Sequence, residues 1–255
     1  MSQSGWWARS WLAALVLVAA PVLIAAAAPK VKPADIPREL GERGRKLSAF
    51  KAVMSIASAY DHGTTRQDTR GFLLYRRPGD FRFQGMGPAG NSLFELVINQ
   101  VGFELYVPPE GKIVRGGKKC FSERFPDVAE LEGLIPLVLL QWKDVKFKNA
   151  APGPQDSVTI QVEFKGDNWL AALDPGSLAL KRLERVNPGK IDLVADFGDF
   201  QTGDYGWLPR RFDVQSLKGG WRTQVKITKI ELNPFLVEKN FKLDADFSAK
   251  IEECR

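Results

Sequence analysis

The sequence predicts a mainly β protein with some helix, an α+β chain built on an antiparallel sheet of about eleven short strands. Two observations carry this prediction. Apolar and polar residues alternate with a period of two through much of the chain, and compact turn sequences separate the alternating runs. Val158, Ile160, Val162 and Phe164 alternate with Thr159, Gln161, Glu163 and Lys165. Ile191, Leu193, Ala195 and Phe197 repeat the pattern, as do Phe94, Leu96 and Ile98, then Phe103, Leu105 and Val107. Such strands have one apolar and one wet face, as in an antiparallel sheet covered on one side. The turn signals are RPGD at 77–80, PPEGK at 108–112, GD at 166–167, DPGS at 174–177, NPGK at 187–190 and KGG at 218–220.

Ahead of the strands stands a different kind of segment. A start carrying only Arg9 leads into WLAALVLVAAPVLIAAAA, uncharged through Ala28. That is the layout of a secretory signal, with Ala25 and Ala27 forming an A-x-A cleavage site. The expected division is therefore 1–27 as signal peptide and 28–255 as a single domain. The rival reading is an uncleaved membrane anchor, since the apolar run is about long enough to span a bilayer. No cysteine lies near the segment, so the expected location is the periplasm, without a lipid anchor. The chain carries a net charge of +6, spread along its length, which suits weak attraction to an anionic membrane or an acidic partner. No nucleic-acid recognition module accompanies that charge, so nucleic acid is not expected as a partner.

From Ile36 to about Ala59, Leu40, Leu47, Phe50, Val53, Met54 and Ala57 fall mostly at helical spacing and predict one amphipathic helix. Residues 125–142, FPDVAELEGLIPLVLLQW, break the strand rhythm. They begin as a helix near Asp127, Pro136 is expected to break or kink it, and the apolar second half is expected to be buried.

Several catalytic patterns are present and each fails on context. Gly85, Gly87 and Gly90 spell G-x-G-x-x-G, but SLFELVI follows as a strand, where a dinucleotide cradle needs a helix to hold the pyrophosphate. A kinase glycine loop is a hairpin, and Asp196-Phe197-Gly198 offers its metal-binding triplet, but the catalytic His-Arg-Asp is missing. His62 is the sole histidine and sits in the loop AYDHGTT beside Asp61; a solvated loop residue is the expected role. One histidine and two cysteines cannot furnish a zinc cluster. Asp244 and Asp246 alternate with Leu243, Ala245 and Phe247, which reads as a wet strand face rather than an acid–base pair. No enzyme activity, metal or cofactor is expected. Cys120 and Cys254 have only each other as a partner in an oxidising compartment; the alternative is two unrelated thiols.

In order, these features resemble the bacterial LolA and LolB superfamily of lipoprotein carriers and acceptors. Residues 71–107, GFLLYRRPGDFRFQGMGPAGNSLFELVINQVGFELYV, are similar to the LolB-type core: strand, proline turn, Arg-bearing strand, P-x-G hairpin tip, two more strands. ELEGLIPLVLLQW is similar to the helical lid region, and YGWLPRRFDVQSL and ITKIELNPFLVEKNFKL to the terminal strands. The resemblance implies an incomplete antiparallel barrel whose apolar face, closed by helices, holds acyl chains of lipoproteins or lipids. The implied cavity residues are Phe94, Leu96, Ile98, Phe103, Leu105, Val107, Val158, Ile160, Val162 and Phe164. The implied lid is Leu134, Ile135, Leu137, Val138, Leu139 and Leu140, and the implied membrane or partner contact is the hairpin tip, Met86, Pro88 and Ala89. The resemblance also implies transient contact with the membrane or with envelope transport proteins. LolB-type acceptors carry an exposed leucine at that tip, where this chain has Ala89; with no lipid anchor, a soluble carrier fits better than an acceptor. A sensor or assembly factor that binds a protein partner on the same fold is the alternative.

Overall fold

The computed structural model describes residues 31–60, 63–139, 142, 145–154, 156–243 and 248–254. The expected signal peptide, Asp61, His62, Leu140 and residues 244–247 lie outside the described residues.

The segment expected to be one helix is two elements. Helix α1 (Ile36–Arg45) buries Ile36 and Leu40 and stops at Lys46, and strand β1 (Ala49–Tyr60) follows. In β1 the residues Phe50, Ala52 and Met54 are buried while Lys51, Ser55 and Ala57 are exposed, so the true period is two. The small Ala and Ser residues blurred that alternation, and the spacing of Leu40, Leu47, Phe50 and Met54 imitated a helix. From β1 the chain forms an antiparallel meander through β2 (Thr65–Arg76), β3 (Asp80–Met86), β4 (Ser92–Ile98), β5 (Phe103–Val107) and β6 (Lys112–Gly116). Helices α2 (Lys118–Arg124) and α3 (Pro126–Val138) come next. A second meander runs through β7 (Lys146–Pro152), β8 (Val158–Phe164), β9 (Asp167–Leu173), β10 (Leu180–Asn187) and β11 (Lys190–Gly198). After a small side hairpin, β12 (Gln201–Gly203) and β13 (Gly206–Leu208), it resumes with β14 (Arg211–Ser216) and β15 (Trp221–Leu232). The last strand, β16 (Lys250–Cys254), lies parallel to β6.

All but the side hairpin join one 14-stranded sheet, ordered β16-β6-β5-β4-β3-β2-β1-β15-β14-β11-β10-β9-β8-β7. The strands exceed the expected eleven because the short pieces β7, β12, β13 and β16 carry little alternation. The two meanders meet where β1 pairs with β15, and the edge strands β16 and β7 do not pair with each other, so the sheet is an unclosed barrel. The connection from β6 to β7 must therefore travel from one side of the sheet to the far edge, and α2 and α3 make that crossing.

Apolar residues on the inner face form two clusters. The first gathers Ile160, Val162, Leu173, Leu183, Leu193 and Trp221 with α1; the second gathers Phe50, Leu96, Ile98, Phe103 and Ile227 with α2. The glycine triplet serves this packing. Gly85 pairs with Phe94 and Gly71 pairs with Met54 and Gly85, and the rings of Phe94 and Phe83 occupy the space that a Cβ at Gly85 or Gly71 would need. Gly90, at φ +80°, closes the β3–β4 turn by donating its N–H to the Gly87 carbonyl at 2.9 Å. Gly85→Ala is expected to cost about 1–3 kcal/mol by overpacking against Phe94; urea unfolding measures it, and a cost under about 0.5 kcal/mol would refute the close fit.

Residues 233–243 cross the outer face on their way to β16. Asn233 anchors the start, accepting from Ser48 N–H at 2.8 Å and donating to the Lys46 carbonyl at 2.8 Å. Arg76 donates to the Leu236 carbonyl and stacks 4.8 Å from the Phe241 ring centroid. Arg82 reaches both the Asn240 carbonyl, at 3.2 Å, and buried Glu95, at 2.8 Å. At the end of the path Cys254 is disulfide-bonded to Cys120 of α2, with Cα atoms 6.1 Å apart. Glu252 in β16 accepts from Lys112 and Arg124, and these bonds hold its carboxyl down at about 2 against an ordinary 4.5. A depressed carboxylate gives its stabilisation above the ordinary value and loses it as pH falls through the folded one. Corrected amide exchange along β16 should quicken between pH 4.5 and about 2, and Glu252→Gln should abolish that pH-dependent part.

Candidate functional site

Helix α3 sits where the two clusters meet. Leu131, Leu134, Leu137 and Val138 pack into the first, while Ala129, Ile135 and Leu139 pack into the second. Its second half, Leu134 to Val138, carries no polar side chain, and this stretch has an apolar cluster to each side. It runs through Pro136 to Val138 rather than breaking there; Leu139 N–H still bonds the Ile135 carbonyl at 2.9 Å, and the Trp142 indole caps the Leu137 carbonyl at 3.0 Å. An ion pair ties α3 to the sheet. Arg185 of β10 bonds Glu130 of α3 at 2.5 Å and Asp192 at 2.7 Å, and lies 6.0 Å from the Trp169 ring centroid. Burial would lower the Arg185 pKa, but the bonds to Asp192 and Glu130 outweigh it and raise it. Asp127, one turn earlier, is pushed up by burial and by the charge of Glu130.

The residues expected to line one cavity fall in two places. Leu96, Ile98, Phe103 and Leu105 belong to the second cluster, with Phe94 stacked on Phe83 at 5.5 Å beside it. Ile160, Val162 and Phe164, with Val158 packed against them, belong to the first. Val107 ends β5 half-buried. Strands β4 and β8 stand nine places apart in the sheet order, and α3 packs against the neighbourhoods of both. At the hairpin tip Pro88 and Ala89 are exposed and Met86 is half-buried.

A groove of about 840 Å³ lies elsewhere, across β11, β14, β15, β1 and β2, with Gly87 and Pro88 at one end. Strand register orders its lining into three rows. Arg211 pairs with Lys226, Lys226 with Ser55, and Ser55 with Arg70. The next row is Phe197, Phe212, Val225, Ile56 and Thr69, and the third is Asp196, Asp213, Gln224, Ala57 and Asp68. Side chains of alternate rows share a face. The middle row packs inward, Phe197 in the first cluster and Ile56 and Val225 against the second. The inner residues two places along β1, Met54 and Ser58, do not touch the groove. It is therefore a trench on the outer face, walled by the first and third rows, with small Ser55 and Ala57 on β1 leaving its centre open. A second groove of about 610 Å³ adjoins it at Lys226, lined also by Arg210, Phe200 and Asp199. Neither groove touches α3.

The acids of the trench are already engaged. Asp213 takes two bonds from Arg222, at 2.7 and 2.5 Å, and one from Gln224 at 2.9 Å; the bonds from Arg222 lead in holding its carboxyl below the ordinary range. Asp196 takes two from Arg182, at 2.7 and 2.9 Å. The side chains of Arg70, Arg211 and Lys226 make no hydrogen bond or ion pair among the described residues. Sequence reading missed this row because its members lie on three strands and only pairing register aligns them. Among the described residues no group of three or more His, Cys, Asp and Glu could hold a metal ion.

No protein-family model matches the chain, and no curated protein matches it. Solved structures do. A domain described as an outer membrane lipoprotein-sorting protein, from Vibrio parahaemolyticus, aligns with a TM-score of 0.60 and 14% identity over 82% of this chain and 95% of its own. A LolA superfamily protein from Nitrosomonas europaea aligns with a TM-score of 0.60 and 13% identity, covering 84% and 99%. A DUF1329 family protein from Desulfovibrio piger gives a TM-score of 0.59 at 12% identity, covering 83% and 98%. At these identities the likeness is one of fold. The chain has a LolA/LolB-like fold, an open β sheet with helices on its inner face.

Proposed function

We propose that this protein is a non-enzymatic carrier for the acyl chains of lipids or lipoproteins, with the inner sheet face as binding surface and α3 as its displaceable cover. One observation carries the reading: a single helix, apolar from Leu134 to Val138, joins two clusters on a sheet that does not close on itself. An acyl chain offers the chemistry α3 now supplies. Burying Leu134, Ile135, Leu137 and Val138 is worth about 6–12 kcal/mol at about 1.5–3 kcal/mol each. A chain of roughly fourteen methylenes is worth about 11 kcal/mol at 0.8 kcal/mol each, enough to compete. The names of the similar structures support the same reading, and the amino-terminal export pattern favours work in the periplasm. The full chain, purified from its native host, is expected to carry lipid detectable by mass spectrometry and to bind a fluorescent fatty-acid probe. Neither lipid nor probe binding would end the carrier reading.

A further inference from the structure

We propose that the outer-face trench docks an extended, acidic polypeptide segment of a partner protein. The site is separate from the acyl surface, because its walls project from the opposite side of the sheet. Its cationic wall is built by pairing: Arg211, Lys226 and Arg70 align across β14, β15 and β2, with Ser55 of β1 completing the row. Like charges directly opposite each other on neighbouring strands repel, and Arg211 and Lys226 are such a pair. Among the described residues no carboxylate forms an ion pair with either, although Asp213 feels the charge of Arg211. Asp213 and Asp196, on the facing wall, give their oxygens to Arg222, Gln224 and Arg182 instead, which leaves Asp68 as the one uncommitted acid of the trench. Three cations thus stand against one acid in a groove of about 840 Å³.

Shape selects the occupant. The trench crosses five strands, about 19 Å at about 4.8 Å per step, which equals five to six residues of extended chain at about 3.3 Å each. Lys226 and Arg70 stand two strands apart, about 10 Å, a span bracketed by same-face carboxylates two or four residues apart on a bound strand, about 7 or 13 Å, within side-chain reach. A bilayer surface is flat and gains nothing from a narrow trench, and an acyl chain laid there would have to desolvate the charged walls. Carboxylates entering from a partner would remove the repulsion between Arg211 and Lys226 and give each cation a charge-assisted bond.

The test uses fluorescein-labelled hexaglutamate and the full chain, read by fluorescence anisotropy at low and high salt. Binding is expected at low salt, weakening as salt rises. The combined variant Arg70→Gln, Lys226→Gln, Arg211→Gln is expected to lose about tenfold or more in affinity. Ala57→Phe, which fills the trench without altering charge, is expected to lose binding as well. Lys51→Gln with Lys229→Gln removes two exposed cations of the same face outside the trench and should leave affinity within about twofold. Thermal melts check folding, and Arg211→Gln alone should not lower the melting temperature, since it removes a repulsion. The proposal is overturned if hexaglutamate fails to bind, if the two charge variants lose equally, or if Ala57→Phe binds as the parent does. It is equally overturned if phosphatidylglycerol vesicles bind in a trench-dependent way while hexaglutamate does not. A chain that lacks bound lipid yet passes this test would sink the acyl reading and leave the trench standing.

Discussion

Leu137→Ala is expected to lower the stability of the protein by about 2–5 kcal/mol, the range for a fully buried leucine whose surroundings cannot collapse into the space. Leu137 has no exposed surface and packs into the first cluster from the C-terminal end of α3. Its neighbours there, such as Ile160, Leu173 and Leu193, belong to strands held on both sides by ladder hydrogen bonds, so they cannot move to fill a void. Urea unfolding followed by tryptophan fluorescence and far-UV circular dichroism measures the cost. The same variant bears on the carrier reading. A shortened side chain weakens the hold of α3 on the sheet, so uptake of a fatty-acid probe should become faster even as the apo protein loses stability. A loss under about 1 kcal/mol would show that α3 is not packed as described, and unchanged uptake would show that α3 does not cover the binding surface.

Cys254→Ser is expected to cost about 2–5 kcal/mol in an oxidising buffer. The bond spans 134 residues, and closing so long a loop in the unfolded chain is worth about 4–5 kcal/mol in the chain-entropy view. The damage should be local in the folded state. Strand β16 pairs only with β6 and is otherwise held by Lys112, Arg124 and Arg115, all surface ion pairs of small individual worth. Amide exchange should therefore rise first in β16 and in residues 233–243, with β1 and β15 keeping the protection of the global unfolding limit. Uniform acceleration across the sheet would contradict that picture.

Much of this fold can be read from the residues. Strands such as β8 and β11 announce themselves because a half-buried strand must alternate, and turns such as NPGK and KGG mark where the chain reverses. The burial of Leu134, Leu137, Val138 and Leu139 was equally legible, since the sequence around them offers no wet face. Strand β1 was not: Ala52, Ser55, Ala57 and Ala59 are too small to declare a side, and Leu40 and Leu47 extended a false helical period into it. That misreading had a cost for function, because two of those small residues, Ser55 and Ala57, form the floor of the trench. The cavity residues were chosen by face, but face says nothing of neighbourhood. Leu96 and Ile160 both point inward and stand in separate clusters. Nor could composition reveal that Arg70, Lys226 and Arg211 share a row, for row membership exists only once strands are paired.

The seam between β1 and β15 has a consequence for the order of events in folding. Each meander closes on near neighbours in sequence and can form early, while the seam joins residues 49–60 to 221–232 and must wait for a distant partner. The trench straddles that seam, with one half of its cationic wall on either meander. Neither half-sheet alone can present it. Whatever docks there can recognise only a chain that has finished folding, which makes the trench a mark of maturity as well as a binding surface.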